Sequence, residues 1–175
     1  MAGMDHMVSE LRIGSILSLC DKSERARHRL GQNASARQDF VGAKLALFIG
    51  GQLAVIRRDD TPGLPYAGCL DLPGGAREQG EMPEDCVLRE LREELGLQLP
   101  RLALQNARFY TTPVRAWFFS ARLPAARADD IVFGDEGQDW ALMDPWDFVK
   151  AEDAVPHFRG RVRGVLNELS PGKFG

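Results

Sequence analysis

Cysteine and histidine are scarce in this chain, and basic charge is not in excess. The three cysteines form no Cys-x-x-Cys pair. A disulfide framework or a thiolate zinc site is therefore not expected, and a reducing compartment suits the chain best. The 22 Lys and Arg against 25 Asp and Glu leave a net charge of -3. We therefore expect no stable nucleic-acid partner and no attraction to an anionic membrane surface.

Long apolar runs are also missing. No run approaches the roughly 20 apolar residues of a membrane span. The N-terminus carries Asp5, His6 and Glu10 rather than the basic stretch that begins a secretory signal. The expectation is a soluble cytoplasmic protein. Its 175 residues, 44% hydrophobic and 27% charged, suffice for one domain with a buried core.

The pattern of apolar and polar residues divides the chain at about residue 37. Residues 1–37 are predicted to be an N-terminal extension, in which Asp21 and Glu24 indicate a short helix that ends at Gly31. The basic side chains of that helix are interpreted as a solvated face rather than a nucleic-acid site. The polar residues 32–38 are typical of a linker. The sequence leaves open whether the chain forms a homodimer through this extension.

Residues 38–175 mix strand and helix patterns. Apolar runs at 41–49 and 53–58, joined by Gly50 and Gly51, predict a β-hairpin. A short strand at 70–72 precedes a glycine turn. Further strands are predicted at 102–110, 114–122 and 139–143, and helices at 83–95, after Asp144 and from Pro156. Such a mixture predicts a layered domain of the α/β or α+β class.

The helix predicted at 83–95 carries an unusual set of carboxylates. The helical period places three of them on one strip of its surface: Glu90, Glu93 and Glu94. Like charges at i,i+4 destabilise a helix by roughly 0.2–0.5 kcal/mol per pair, so positive charge must compensate. Oxygen ligands without histidine indicate a hard divalent cation, Mg²⁺ or Mn²⁺. The alternative is a solvated acidic face neutralised by Arg89 and Arg92.

The spacing of residues 75–97 resembles the Nudix box. That pattern, G-x5-E-x7-R-E-U-x-E-E-x-G-U with U aliphatic, is matched at every fixed position by Gly75, Glu81, Arg89-Glu90-Leu91, Glu93-Glu94 and Gly96-Leu97. The flanks are similar to the MutT-like branch: a Leu-Pro-Gly-Gly turn, a strand ending in Arg57-Arg58, and Glu136 followed by Trp140. The first 37 residues have no counterpart in the pattern.

This resemblance implies both a fold and an activity. The implied fold is an α/β/α sandwich with a mixed β-sheet between helices, and residues 38–175 are the implied Nudix hydrolase domain. The implied activity is Mg²⁺- or Mn²⁺-dependent cleavage of a phosphoanhydride in a nucleoside diphosphate linked to another group. The implied metal-site residues are Glu90, Glu93, Glu94 and Gly75. Gly74 and Gly75 would shape the phosphate site, Arg89 would orient a box carboxylate, and Glu81 would lie near the metals.

Several roles stay open at this level. Glu94 and Glu136 are both candidates for the general base, and we favour Glu136, as a base or an added ligand, over a plain loop carboxylate. Arg58 either contacts substrate phosphate or pairs with Asp59 or Asp60. His157, near a helix start, is interpreted as a surface histidine rather than a contact to a nucleobase.

The substrate class also has alternatives. We expect a small nucleotide, a (d)NTP cleaved to NMP and pyrophosphate. Pro113, beyond the box, is similar to a feature of ADP-ribose hydrolases and keeps ADP-ribose or a nucleotide sugar as the alternative. A nucleotide-sensing module without catalysis would show a degraded box, and this box is complete. An isoprenoid diphosphate isomerase would need a cysteine in its pocket, for which Cys69 is the candidate.

Overall fold

The computed structural model describes Arg37 and residues 39–169. The helix predicted in the extension and the linker therefore lie, apart from Arg37, outside the described residues. A compact unit begins at Phe40. The division into an extension at 1–37 and a domain at 38–175 remains a prediction.

The predicted hairpin is present and opens away from its turn. Strands β1 (Gly42–Ile49) and β2 (Gln52–Arg57) are joined by Gly50 and Gly51, whose φ angles are both positive. The two strands pair only beside that turn. Further along, β3 (Leu70–Asp71) pairs with β2, and the residues after β3 bond to β1. The glycine turn at residues 73–75 is thereby inserted between the two strands of the hairpin.

The remaining strands complete a mixed sheet. They are β4 (Gln105–Tyr110), β5 (Ala116–Leu123) and β6 (Asp139–Met143). The order is β3-β2-β1-β5-β4, with β6 on the other edge of β2. Strands β1 and β5 run parallel along their whole length, and the other pairs are antiparallel. A parallel pair needs a long crossover connection, and the crossover here contains the predicted helix.

Two strand predictions differ from the structure at their ends. The stretch predicted from Leu102 becomes a strand only at Gln105, because Arg101–Ala103 form a 3₁₀ turn that leaves Leu102 96% exposed. The strand predicted at 114–122 begins at Ala116. In both places an apolar side chain, Leu102 or Val114, stands in a connection rather than in the sheet.

The helices are α1 (Pro83–Leu95), α2 (Pro145–Lys150) and α3 (Pro156–Leu169). The predicted bounds of α1 are confirmed. Pro83 needs no N–H partner in the first turn, and Gly96 ends the helix in the left-handed conformation, φ 68°, donating its N–H to the Arg92 carbonyl. Met82 makes no capping hydrogen bond.

Helices cover both faces of the sheet. Alternate side chains of β1, β2 and β5 pack with α2 and α3 in one core: Ala46, Phe48, Leu53, Val55, Phe118, Phe148, Phe158, Val162 and Val165. Because side chains alternate along a strand, Leu45 and Leu47 face the other side, where α1 packs on β1 with Leu91 fully buried. The α/β/α sandwich is confirmed. Among the described residues, none of the helices has the length and apolar character needed to cross a membrane.

Removing residues 1–37 is expected to leave a folded domain. The unit from Phe40 contains its own core on both faces of the sheet, and Phe40 itself is 4% exposed. Residues 38–175 should unfold cooperatively in urea, with a free energy of unfolding within about 1 kcal/mol of the full chain. A broad, non-cooperative transition would show that the extension completes the core.

Candidate active site

A cleft of about 770 Å³ brings most of the predicted site residues together. It is lined by the glycine turn, one side of α1, the ends of β1 and β2, the loop before β6, and α3. Seven carboxylates line it against four Lys and Arg side chains: Asp59, Asp71, Glu78, Glu90, Glu93, Glu94 and Glu136 against Lys44, Arg58, Arg89 and Arg161. The lining of the cleft therefore carries an excess of negative charge, which would repel an anion such as a phosphate chain.

The glycine turn touches α1 directly. The Gly74 N–H donates to Glu94 Oε2 at 2.7 Å, and Gly74 has a φ of 120°. A Cβ at Gly74 would lie 2.2 Å from the Ala43 carbonyl oxygen, and one at Gly75 would lie 2.4 Å from Glu90 Oε2. A side chain at Gly74 would collide with the main chain of β1, and one at Gly75 would collide with the Glu90 carboxylate, so the close packing of this turn depends on glycine.

Two of the α1 carboxylates are buried. Glu90 is 8% exposed and Glu94 is 9% exposed. Glu94 has no salt-bridge partner among the described residues, and burial raises its pKa to about 7. Burial also raises the pKa of Glu90, partly offset by Arg89. Glu93 is exposed. The acidic strip is therefore not the solvated face that the alternative interpretation assumed.

Arg89 connects these carboxylates to Glu81. Its Nη1 lies 2.9 Å from Glu90 Oε1 and 2.8 Å from Glu93 Oε2, and its Nε donates to Glu81 Oε1 at 2.8 Å. The hydrogen bonds from Arg89 hold the pKa of Glu81 below its usual range. Glu81 does not line the cleft. The structure thus places Glu81 against Arg89, outside the residues that line the cleft.

Asp71 anchors two cations that sequence reasoning did not connect. It is 3% exposed, and its Oδ2 accepts from Lys44 Nζ at 2.9 Å and from Arg58 Nη1 at 2.8 Å. Burial opposes ionisation, but the charge and hydrogen bonds of Lys44, with the hydrogen bond from Arg58, outweigh it and hold the pKa of Asp71 below its usual value. Arg58 thus pairs with Asp71 and not with Asp59 or Asp60. The reason is the β2–β3 register, which sets Asp71 opposite Ile56.

Glu136 is brought to the cleft by a loop that is held at two points. The Gly134 N–H donates to the Glu94 carbonyl at 2.9 Å, and the Gln138 N–H donates to the Arg57 carbonyl at 2.9 Å. Between these points Glu136 lines the cleft with an exposed side chain and has no hydrogen-bond or ion-pair partner among the described residues. The loop thereby joins the C-terminal end of α1 to the end of β2.

The α3 side of the cleft holds His157, which was interpreted from the sequence as a surface histidine, and Arg161, which sequence reasoning did not single out. His157 lines the cleft half-buried, 5.8 Å from the Tyr66 ring, and burial lowers its pKa. Arg161 also lines it. Pro113 and Cys69 do not; Pro113 lies exposed in the β4–β5 turn, and Cys69 packs against the core. The features cited for an ADP-ribose hydrolase and for an isomerase thus lie outside this lining.

The donors of the cleft suit a hard divalent cation in their chemistry. Glu90, Glu93 and Glu94 offer only oxygen, and Glu94 is a buried carboxylate that lacks a cation. No group of three or more His, Cys, Asp or Glu side chains in the described part of the chain is already gathered as a ligand set. Arg89 bonds both Glu90 and Glu93. These contacts use Glu90 Oε1 and Glu93 Oε2, so the second oxygen of each carboxylate is left for a cation.

The chain matches one known family and several known proteins. The family model of the NUDIX domain matches residues 42–163. The chain is 37% identical over 75 residues to an 8-oxo-dGTP diphosphatase of Escherichia coli (strain K12), covering 41% of this chain and 55% of that protein. It is 28% identical over 134 residues to an RNA pyrophosphohydrolase of Gluconobacter oxydans (strain 621H), covering 69% of this chain and 76% of the relative.

A third relative, over a shorter stretch, and a solved structure are also similar to the chain. An ADP-ribose pyrophosphatase of Methanocaldococcus jannaschii is 44% identical over 46 residues, covering 26% of this chain and 25% of that protein. The chain thus spans about half of the first of these relatives and a quarter of the third. A MutT protein of Methanosarcina mazei Go1 superposes with a TM-score of 0.61 at 20% identity, over 75% of this chain and 95% of that one. At that identity the superposition shows the fold alone.

Replacing the carboxylate of Asp71 is expected to destabilise the protein. Asp71→Asn leaves Lys44 and Arg58 half-buried without an anion, which should cost about 3 kcal/mol of unfolding free energy at pH 7. The folded pKa lies below the ordinary 3.8, so this stabilisation is present above that value and is lost as pH falls through the folded pKa. Urea unfolding at pH 7 and at pH 3 should show a smaller difference at pH 3.

The matched control is Asp59→Asn, which removes an exposed carboxylate beside Arg58. It should change the unfolding free energy by no more than ~0.5 kcal/mol. An equal loss in the two variants would contradict the assignment of Asp71 as the partner that holds both cations.

Proposed function

The chain belongs to the NUDIX domain family, and on that basis we propose that it is a divalent-cation-dependent hydrolase of a phosphoanhydride bond in a nucleotide. The observation that carries the proposal is Glu94. Its carboxylate is buried against the glycine turn and has no salt-bridge partner within the described residues. Burying a carboxylate without a cation is costly, and a bound divalent cation would offset that cost.

The box residues would hold the cation. Glu90, Glu93 and Glu94, with the main chain at Gly75, would supply the oxygen ligands. When bound, Mg²⁺ or Mn²⁺ offsets the charge of the phosphate oxygens and lowers the pKa of a coordinated water. Members of the family generally use such ions. Because carboxylates outnumber cations in the lining, such an ion would offset their repulsion of a phosphate chain.

The positioning residues act without touching the reacting bond. Glu81 holds Arg89 through two hydrogen bonds, at 2.8 and 3.2 Å, and Arg89 holds Glu93 at 2.8 Å. This chain of charge-assisted hydrogen bonds orients the carboxylates before a substrate arrives. Gly74 and Gly75 bring main-chain groups to the site because neither carries a side chain.

Glu136 is the proposed general base. Its carboxylate is exposed to the cleft and not engaged elsewhere in the described part of the chain, whereas Glu94 Oε2 already accepts the Gly74 N–H. In the step proposed, a water oxygen attacks phosphorus while Glu136 takes its proton. The anhydride P–O bond then breaks, and its electrons leave with the departing phosphate group. A (d)NTP would give NMP and pyrophosphate.

The proposed substrate is a nucleoside triphosphate. The likeness to an 8-oxo-dGTP diphosphatase, 37% identical over 75 residues, supports this class. ADP-ribose is the second candidate, supported by a relative of that name and by Pro113, although Pro113 does not line the cleft. A sensing module without catalysis is disfavoured because every fixed position of the box is present.

Replacing Glu94 tests the proposed activity. Glu94→Gln keeps an oxygen for the Gly74 N–H but removes the charge. We expect kcat with Mg²⁺ to fall at least ~100-fold, because several kcal/mol of transition-state stabilisation are lost and each ~1.4 kcal/mol is tenfold. Without metal the variant should be at least as stable as wild type, since an uncompensated buried charge is gone. Pyrophosphate release and thermal unfolding in EDTA measure the two effects.

The control for this experiment is Glu152→Gln, which alters an exposed carboxylate outside the cleft lining. Its activity should match wild type. Equal activity in Glu94→Gln and wild type would remove the basis for the proposal. So would a lack of stabilisation of wild type by Mg²⁺.

A comparison of two substrates tests the substrate class. We expect kcat/KM for a dNTP, oxidised or unmodified, to exceed that for ADP-ribose by ~10–100-fold. Initial rates below KM in one Mg²⁺ buffer decide this. Faster turnover of ADP-ribose would contradict the assignment. A 5′-triphosphorylated RNA oligonucleotide is a useful third substrate, because one relative is named as an RNA pyrophosphohydrolase.

A further inference from the structure

Arg161 is a buried cation on the α3 side of the cleft. It is 5% exposed and lines the cleft, although it lies on the helix face that also carries Phe158, Val162 and Val165. Its guanidinium lies 4.0 Å from the centre of the Tyr110 ring, and its Nη2 donates to the Thr112 carbonyl at 3.0 Å. Phe158 and Phe118 flank it at 5.3 and 5.9 Å.

Arg161 differs from the other cations of the cleft in its partners. Lys44 and Arg58 are paired with Asp71, and Arg89 is paired with several glutamates. No salt bridge joins Arg161 to a carboxylate of the described residues. Burial lowers its pKa, but an arginine stays protonated in proteins. A charge that is buried and unpaired is a cost to the folded protein unless a ligand uses it.

The surroundings of Arg161 hold its guanidinium ready for a ligand. The guanidinium lies over the face of the Tyr110 ring, and the Thr112 carbonyl accepts one of its hydrogen bonds. A guanidinium has five N–H donors in a planar fork, so donors remain for a second partner. The fork matches two oxygens of one phosphate, and an anion gains more than a neutral base edge from an uncompensated charge in a poorly solvated site.

We propose that Arg161 binds a phosphate of the substrate on the α3 side of the cleft, beyond the phosphates held at the box. The inference rests on the proposed function for the identity of the ligand as a nucleotide, and it deepens that function. A triphosphate chain has a phosphate to spare for Arg161, whereas a diphosphate held at the box does not. Arg161 is thus a determinant of preference for nucleoside triphosphates.

The test is a comparison of binding by two non-hydrolysable probes in Mg²⁺ buffer. Isothermal titration is carried out with α,β-methylene-ATP and α,β-methylene-ADP. Arg161→Met, which keeps apolar volume among the aromatic rings, should raise Kd for the triphosphate at least ~10-fold and change Kd for the diphosphate much less. Arg161→Lys keeps the charge but loses the fork, so its Kd for the triphosphate should lie between those of wild type and Arg161→Met.

The matched control is Arg163→Met, an exposed arginine of the same helix outside the cleft lining. It should leave both Kd values unchanged. Thermal unfolding in EDTA is a second readout. If Arg161 serves the ligand, metal-free Arg161→Met should melt at or above the wild-type temperature, because the unpaired buried charge is removed.

Three results would overturn the inference. Equal weakening of both probes would place Arg161 at the diphosphate. Weakening that appears with α,β-methylene-GTP, titrated in the same way, and not with α,β-methylene-ATP would assign it to the base. A lowered melting temperature in both Arg161 variants, with the triphosphate Kd of the folded Arg161→Lys unchanged, would make it structural. Binding of the triphosphate probe without hydrolysis of any nucleotide would instead refute the proposed function and leave this inference standing.

Discussion

The contact between the glycine turn and the carboxylates of α1 is the constraint on which the cleft depends. Gly74 donates its N–H to Glu94, and Gly75 lies so close to Glu90 that a Cβ would collide with the carboxylate. The turn can reach this position because β1 and β2 separate beyond their hairpin and admit the chain after β3. The same insertion places Asp71 beside β2. One local opening of the sheet thus forms both the acidic site and its neighbouring ion network.

Some charged side chains of the cleft are paired with one another and others are not, and the unpaired ones indicate where ligands would bind. Arg89 is satisfied by Glu81, Glu90 and Glu93, and Asp71 satisfies Lys44 and Arg58. Glu94 and Arg161 are left buried without a counter-charge within the described residues. A cation at Glu94 and a phosphate at Arg161 would neutralise both groups. The stability that these two charges cost the protein would then be recovered when a metal-bound nucleotide binds.

The elements of the fold were predictable where the local signals agreed. Pro83 and Gly96 mark the ends of α1, and the double glycine marks the hairpin turn. Predictions failed by two or three residues where an apolar side chain stands in a connection, as at Leu102 and Val114. The pairing of the strands could not be predicted from local pattern, because the parallel pair of β1 and β5 joins segments that are distant in the chain. Pairing between such segments is decided by packing rather than by local pattern.

The family, the box carboxylates and the side of α1 on which they lie could all be predicted without a structure, because helical spacing and glycine positions are local properties. Three charged residues within apolar patterns were not recognised as site residues from the sequence. They are Lys44 within an apolar strand, Asp71 between two leucines, and Arg161 on the apolar face of α3. Their meaning came only from tertiary structure. Whether a charged side chain in an apolar pattern has a salt bridge, as Asp71 does, or has none among the described residues, as is true of Arg161, depends on residues far away in the chain. The long-range packing of the sheet and helices decides which of these groups face the cleft.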